Sequence, residues 1–260
     1  MKRRQSFWVA PAVFFAGLLA LFVTWLVMEP AALHQAFDQK GHSFFELATL
    51  PFYAAIIPFV WWKCPYEGSR ARRILLCTAV SCVAFMAVCK ELDLHLAAMQ
   101  TLYPDFVGAD GSVHGLVKPN GEPLAGTPFK MRVLTNAAVP LSAKIIIVFY
   151  FMSFFGVFAA LLVYFSKDLV RGFLTLNPAA WSVCFLGGSG VMVQLCDRMP
   201  AWIRHLKGLP KGETIDSISS FFTAFEEGGE MLIAIFAIMA ICQAHAAITA
   251  EQKAVCPAGE

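Results

Sequence analysis

Residues 74–100 read ILLCTAVSCVAFMAVCKELDLHLAAMQ. From Ile74 to Cys89 no side chain is charged, and a helix that crosses a bilayer needs roughly 20 predominantly apolar residues. Lys90, Glu91, Asp93 and His95 then follow in quick succession. A charged side chain near the bilayer centre costs about 3 kcal/mol on insertion scales, so an intramembrane cluster marks a functional site by default. Its partners have to come from other helices.

The rest of the chain carries the same signature. Of 260 residues, 58% are hydrophobic and 15% charged, where soluble domains average about a quarter charged. The 24 phenylalanines suit lipid-facing surfaces. A net charge of +2, with no basic run interleaved with aromatics, excludes a nucleic-acid surface. The expected class is therefore an all-α integral membrane protein, a single polytopic domain whose first partners are membrane lipids.

Six segments meet the length requirement: Phe7–Met28, Ser43–Trp62, Ile74–Gln100, Ala143–Ser166, Ala179–Cys196 and Ser220–Ala246. The first follows Lys2-Arg3-Arg4 and is too long for a cleaved signal core, so it reads as an uncleaved anchor. The third is long for a vertical span and should tilt or project. Lys2, Arg3 and Arg4, then Lys63, Arg70, Arg72 and Arg73, then Lys167 and Arg171 lie on one side of this topology. The positive-inside rule makes that side cytoplasmic, placing both termini inside a bacterial-type inner (plasma) membrane.

One larger outer, periplasmic loop is expected over about Thr101–Ser142. Gly108-Ala109-Asp110-Gly111 and Asn120-Gly121 are turn chemistry, consistent with a small hairpin or with an irregular loop. Asp197–Ser219 reads as a partly amphipathic interfacial connection. Small residues (Gly187, Gly188 and Gly190, and Ser153, Gly156 and Ala160) mark expected sites of close helix approach. The eight cysteines show no C-x-x-C pair and read mainly as small buried hydrophobes, with Cys196 beside Asp197 the one to watch.

On this topology the costly groups gather at one depth. Glu46, Glu91, Asp93, Asp197, Glu226, Glu227 and Glu230 lie in or beside the outer ends of four spans, with Lys90, Arg198 and His95. Seven acids against two bases leave a negative surplus that a low-dielectric pocket cannot hold. Protonated carboxylates, bound divalent cations, or loop bases such as Lys130, Arg132 and Lys144 would relieve it. Glu91 and His95 are four apart, as are Glu226 and Glu230, so each pair shares a helix face. Gly228-Gly229 between the acids fits either a close approach to the helix or a local break in it.

Three functions fit this pattern. The first is an enzyme acting on an anionic, lipid-linked or periplasmic substrate. His95, Glu91, Glu226, Glu230, Glu46 and Asp197 would hold a divalent metal (Zn, Mn or Fe). Glu91, Asp93, Glu227, Lys90 and Arg198 would supply acid–base and anion-holding groups. Neither H-E-x-x-H nor H-x-x-x-H occurs to fix the ligand set. The second is a proton- or cation-coupled transporter, opposed by the lack of a polar path through the inner halves of the spans. The third is a structural or accessory protein whose charges form an internal ion-pair network.

Overall fold

The computed structural model describes residues 7–37, 43–64, 66, 68–108, 112–116, 127–129, 131–209 and 216–255; helix positions 30, 34, 46, 131, 132, 216, 217 and 253–255 are described by backbone alone. Among these residues the structure is helical and has no strand. The helices are α1 (Val9–Val27), α2 (Pro30–Phe37), α3 (Phe44–Lys63), α4 (Arg70–Glu91), α5 (Leu94–Leu102), α6 (Met131–Leu134), α7 (Leu141–Phe151), α8 (Val157–Leu174), α9 (Pro178–Leu206) and α10 (Asp216–Val255). One π-helical stretch, Met152–Gly156, joins α7 to α8.

Among the described residues, five helices are long and apolar enough to cross a membrane: α1, α4, the continuous Leu141–Leu174 helix, α9, and Ile218–Gln252 within α10. In the expected second span, α3, the apolar stretch is the shorter Leu47–Lys63. The boundaries depart from the sequence expectation in three places. The expected third span stops at Glu91, where Asp93 takes a left-handed backbone (φ 50°) and α5 starts afresh. An aspartate tolerates that conformation better than most residues, and the Asp93 carbonyl accepts from the N–H groups of Leu96 and Ala97 at 2.9 and 3.0 Å. At the fifth span, α9 continues through Pro200 to Leu206, so the first part of the expected interfacial connection is helix. The last helix has 40 residues, about 60 Å at 1.5 Å per residue, twice a hydrocarbon core.

The chain divides into two compact units, residues 1–81 with 163–260, and residues 82–162. In the first unit α10 is the element the others pack on. Leu232 and Phe236 of α10 are buried with Ala10 of α1, and Phe14, Leu18, Trp181 and Phe185 pack around them. Nearby, Ala224 is buried with Leu21, Leu33 and Phe37 of α1 and α2. Close approach is made at Gly17, where a Cβ would meet Leu232 at 2.8 Å, and at Gly228, where it would run into Leu21. A Cβ at Gly187 or Gly188 would meet nothing within 4 Å, so these two do not mark the expected helix contact. The tight turn from α8 into α9 uses Gly172, whose missing side chain admits Ala180, and Asn177, which caps α9 by accepting from the Ala179 N–H at 3.0 Å.

The second unit has a small core of its own. Met99, Phe106, Val107, Val113, Leu116, Val133, Val139, Ala143 and Ile147 are buried together, so the expected outer loop carries packed structure. Val107 and Val113, on either side of the first turn signal, form an isolated antiparallel bridge, and the Gly108 N–H donates to the Ser112 carbonyl at 2.8 Å. Residues 109–111 of that turn signal lie outside the described residues. The Asn120-Gly121 turn lies outside the described residues. Within the π stretch, the Ser153 carbonyl accepts from the Cys82 thiol at 3.8 Å, a donor for a group whose regular helical bond the wider turn displaces.

Candidate functional site

The first unit brings two carboxylates together on one helix. A side-chain oxygen of Glu227 and one of Glu230 lie within 4.8 Å of each other. Three residues apart on α10, they are neighbours across one turn. Glu230 is 9% exposed, in the middle of a helix whose surroundings are apolar. The helix is unbroken through Gly228 and Gly229, so the glycines act by close packing, and the local break does not form. Leu21 of α1 fills the space over Gly228, while Val193 and Met192 of α9 fill that over Gly229. These contacts fix the rotation of α10 and hold the face bearing Glu230 inward. Tyr53 of α3, itself 7% exposed, donates its hydroxyl to the Glu230 carbonyl at 3.1 Å, adding a fourth helix to the arrangement. A carbonyl already bonded within a helix can accept this second donor with its other lone pair.

Asp197 and Arg198, expected beside these acids, form an ion pair with each other at 3.3 Å on the exposed side of α9, with side chains 48% and 67% exposed. Glu226 is half-buried one residue before Glu227. Glu46 sits in the first turn of α3, and its side chain lies outside the described residues, as do His42, Lys130 and the side chain of Arg132.

The second unit holds the remaining predicted residues. Lys90 Nζ pairs with Glu91 Oε1 at 3.2 Å, leaving the Glu91 side chain 4% exposed and the Lys90 side chain 50%. Asp93 is exposed at the break between α4 and α5. Two residues further on, the His95 ring stacks on Tyr150 with centroids 5.0 Å apart and meets Phe129 edge-on at 4.8 Å. Its Nδ1 lies 3.4 Å from the Cys89 carbonyl oxygen. Burial pushes the imidazole below its ordinary value, against the opposing pull of that carbonyl and of Asp93. His95 thus sits in an aromatic setting that disfavours its charged form. The sequence reading missed Tyr150 and Phe129, because an aromatic in an apolar run gives no sign of which ring it will meet.

No known protein family, no curated protein and no solved structure matches the chain. The fold and composition define its class, a multi-pass α-helical membrane protein with a carboxylate pair inside its helices. Nothing narrower comes from similarity.

Proposed function

We propose that the Glu227–Glu230 pair is the centre of a functional ion site in a polytopic inner-membrane protein with six spans and both termini cytoplasmic. The observation that carries this reading is the closeness of two carboxylates, one of them nine-tenths buried, in an apolar helix. Two negative groups at that distance repel strongly where water is scarce, and a cation between them turns the repulsion into binding. A site of this kind suits a metal-dependent enzyme. The bound ion would activate a water, and Glu226, the residue before Glu227, would accept the proton. Oxygen-rich ligation favours Mn or Fe, and Zn once a nitrogen ligand joins. The substrate class that fits an intramembrane site of this charge is an anionic, lipid-linked or periplasmic molecule, brought in with the cation.

The test is the metal content of the full-length protein purified in detergent and dialysed against Zn, Mn or Fe. The expected result is one divalent ion per chain, lost in both Glu227→Gln and Glu230→Gln. A wild type that takes up none of the three overturns the metal centre. If the metal-free protein also moves protons or cations across liposomes, and Glu230→Gln stops that flux, the pair belongs to a carrier. If neither occurs and both variants unfold, the acids serve an internal network that holds the bundle.

A further inference from the structure

At the end of α3, in the first unit, a different set of groups meets. Cys64 follows the last residue of α3, and Cys77 lies two turns into α4. Their sulfurs are 3.8 Å apart, and the Cys77 thiol has two acceptors in reach, the Cys64 sulfur and, nearer at 3.4 Å, the Val60 carbonyl. Arg73, one turn before Cys77, donates its Nε–H to the Cys64 sulfur at 3.4 Å. Cys64 borders a cavity of about 400 Å³, also lined by Trp62, Lys63, Tyr66, His245 and Thr249. Cys77 lies behind it, 2% exposed. One sulfur therefore faces a space that a small molecule can enter, and the second waits within reach of the first.

We propose that Cys64 and Cys77 form a peroxide-sensitive dithiol, with Cys64 the attacking sulfur and Cys77 the resolving one. The Cys64 thiolate attacks the terminal oxygen of a hydroperoxide. The O–O bond breaks, the released alkoxide or hydroxide takes a proton, and Cys64 becomes a sulfenic acid. The Cys77 sulfur then attacks the Cys64 sulfur, the S–O bond breaks, and the oxygen leaves as water with the Cys77 proton. Two thiols and one hydroperoxide give one disulfide, one alcohol (or water) and one water. Two electrons pass from the sulfurs to the peroxide oxygens.

The arrangement supports each step. Only the thiolate is nucleophilic, and a neighbouring arginine favours it. Burial opposes ionisation of Cys64, but its hydrogen bonding, with Arg73 first and then with the Tyr66 backbone and Cys77, prevails and holds the thiol below its ordinary value. Closing the bond needs the sulfurs to move from 3.8 Å to about 2.0 Å apart. The disulfide would tie the start of α4 to the end of α3 and draw Cys64 away from Arg73, changing the wall of the cavity.

The test uses full-length protein in detergent, reduced and then given limiting hydrogen peroxide, with the thiols mapped by mass spectrometry. The expected product is a Cys64–Cys77 disulfide. In Cys77→Ser, Cys64 should accumulate as a sulfenic acid trapped by dimedone. Near neutral pH, iodoacetamide should label Cys64 faster in the folded wild type than in the guanidinium-unfolded chain, and Arg73→Ala should lose that advantage while Arg73→Lys keeps part of it. The proposal is overturned if wild type forms no Cys64–Cys77 bond, which needs no variant to fold. It is equally overturned if the folded protein labels no faster than the unfolded chain.

Discussion

Replacing Glu230 by glutamine should change the protein's stability in opposite directions depending on whether a divalent cation is present. Two full negative charges no more than 4.8 Å apart repel by at least about 3.5 kcal/mol at an effective dielectric constant of about 20. Water reaching the half-buried Glu227 reduces this to about 2 kcal/mol. The amide is nearly the same size as the carboxylate and removes the repulsion. In chelator, Glu230→Gln should therefore be the more stable protein, by about 2 kcal/mol. A cation at 100 times its dissociation constant stabilises wild type by about 2.7 kcal/mol and the variant hardly at all, which reverses the order. The measurement is chemical or thermal unfolding of both proteins in detergent, in EDTA and again in Mn, Fe or Zn. Equal stabilities in EDTA would mean the carboxylates do not confront each other. A variant stabilised by metal as much as wild type would place the ion elsewhere and defeat the reading.

Other expectations follow from single contacts. Gly228→Ala should destabilise by about 1–3 kcal/mol, because the added methyl meets Leu21, which is itself buried; Gly187→Ala, facing open space, should be neutral or mildly stabilising. Unfolding midpoints of the two variants side by side decide this, and equal effects would contradict the packing of α1 on α10. Tyr53→Phe should cost about 1 kcal/mol through the lost bond to the Glu230 carbonyl, with no change in metal content; loss of the metal would show that the hydroxyl does more than join helices. His95 gives a pH dependence. Its folded value is lowered, so the folded protein binds fewer protons than the unfolded chain between that value and about 6.5. Stability should fall as pH drops through this window and be fully regained above it. His95→Phe should flatten that part of the profile, and an unchanged profile would remove His95 as its source.

What the sequence reveals here depends on how far apart the deciding residues are. The apolar spans are legible because hydropathy is a sum over some 20 neighbouring residues, and no single contact alters it. The break at Asp93 is legible only as charge. The same Lys-Glu-Leu-Asp run could have continued as helix, and the left-handed turn is settled by packing. The length of α10 escaped the apolar window because its last turns, with Glu251 and Gln252, are polar yet good helix formers. The expected second span is an intermediate case, since Pro51 and Pro58 sit inside a helix that the apolar count alone treats as ordinary.

The carboxylates show where such reading stops. Glu226 with Glu230 and Glu227 with Glu230 are both neighbours on a helix, four and three residues apart, so spacing permits either pair. Which face turns inward is set by Leu21 closing over Gly228 and by Val193 and Met192 closing over Gly229, all of them far away in the chain. The same limit hid the dithiol. Cys64 lies beyond the end of one helix and Cys77 inside the next, thirteen positions on, and that spacing matches no motif. A cysteine in an apolar run reads as a small hydrophobe until a second sulfur and an arginine are placed beside it. Residues that act through partners distant in sequence carry no local mark of their role, and the dithiol is of that kind, whereas the glutamates are marked by their charge in an apolar run and only the choice of pair is hidden.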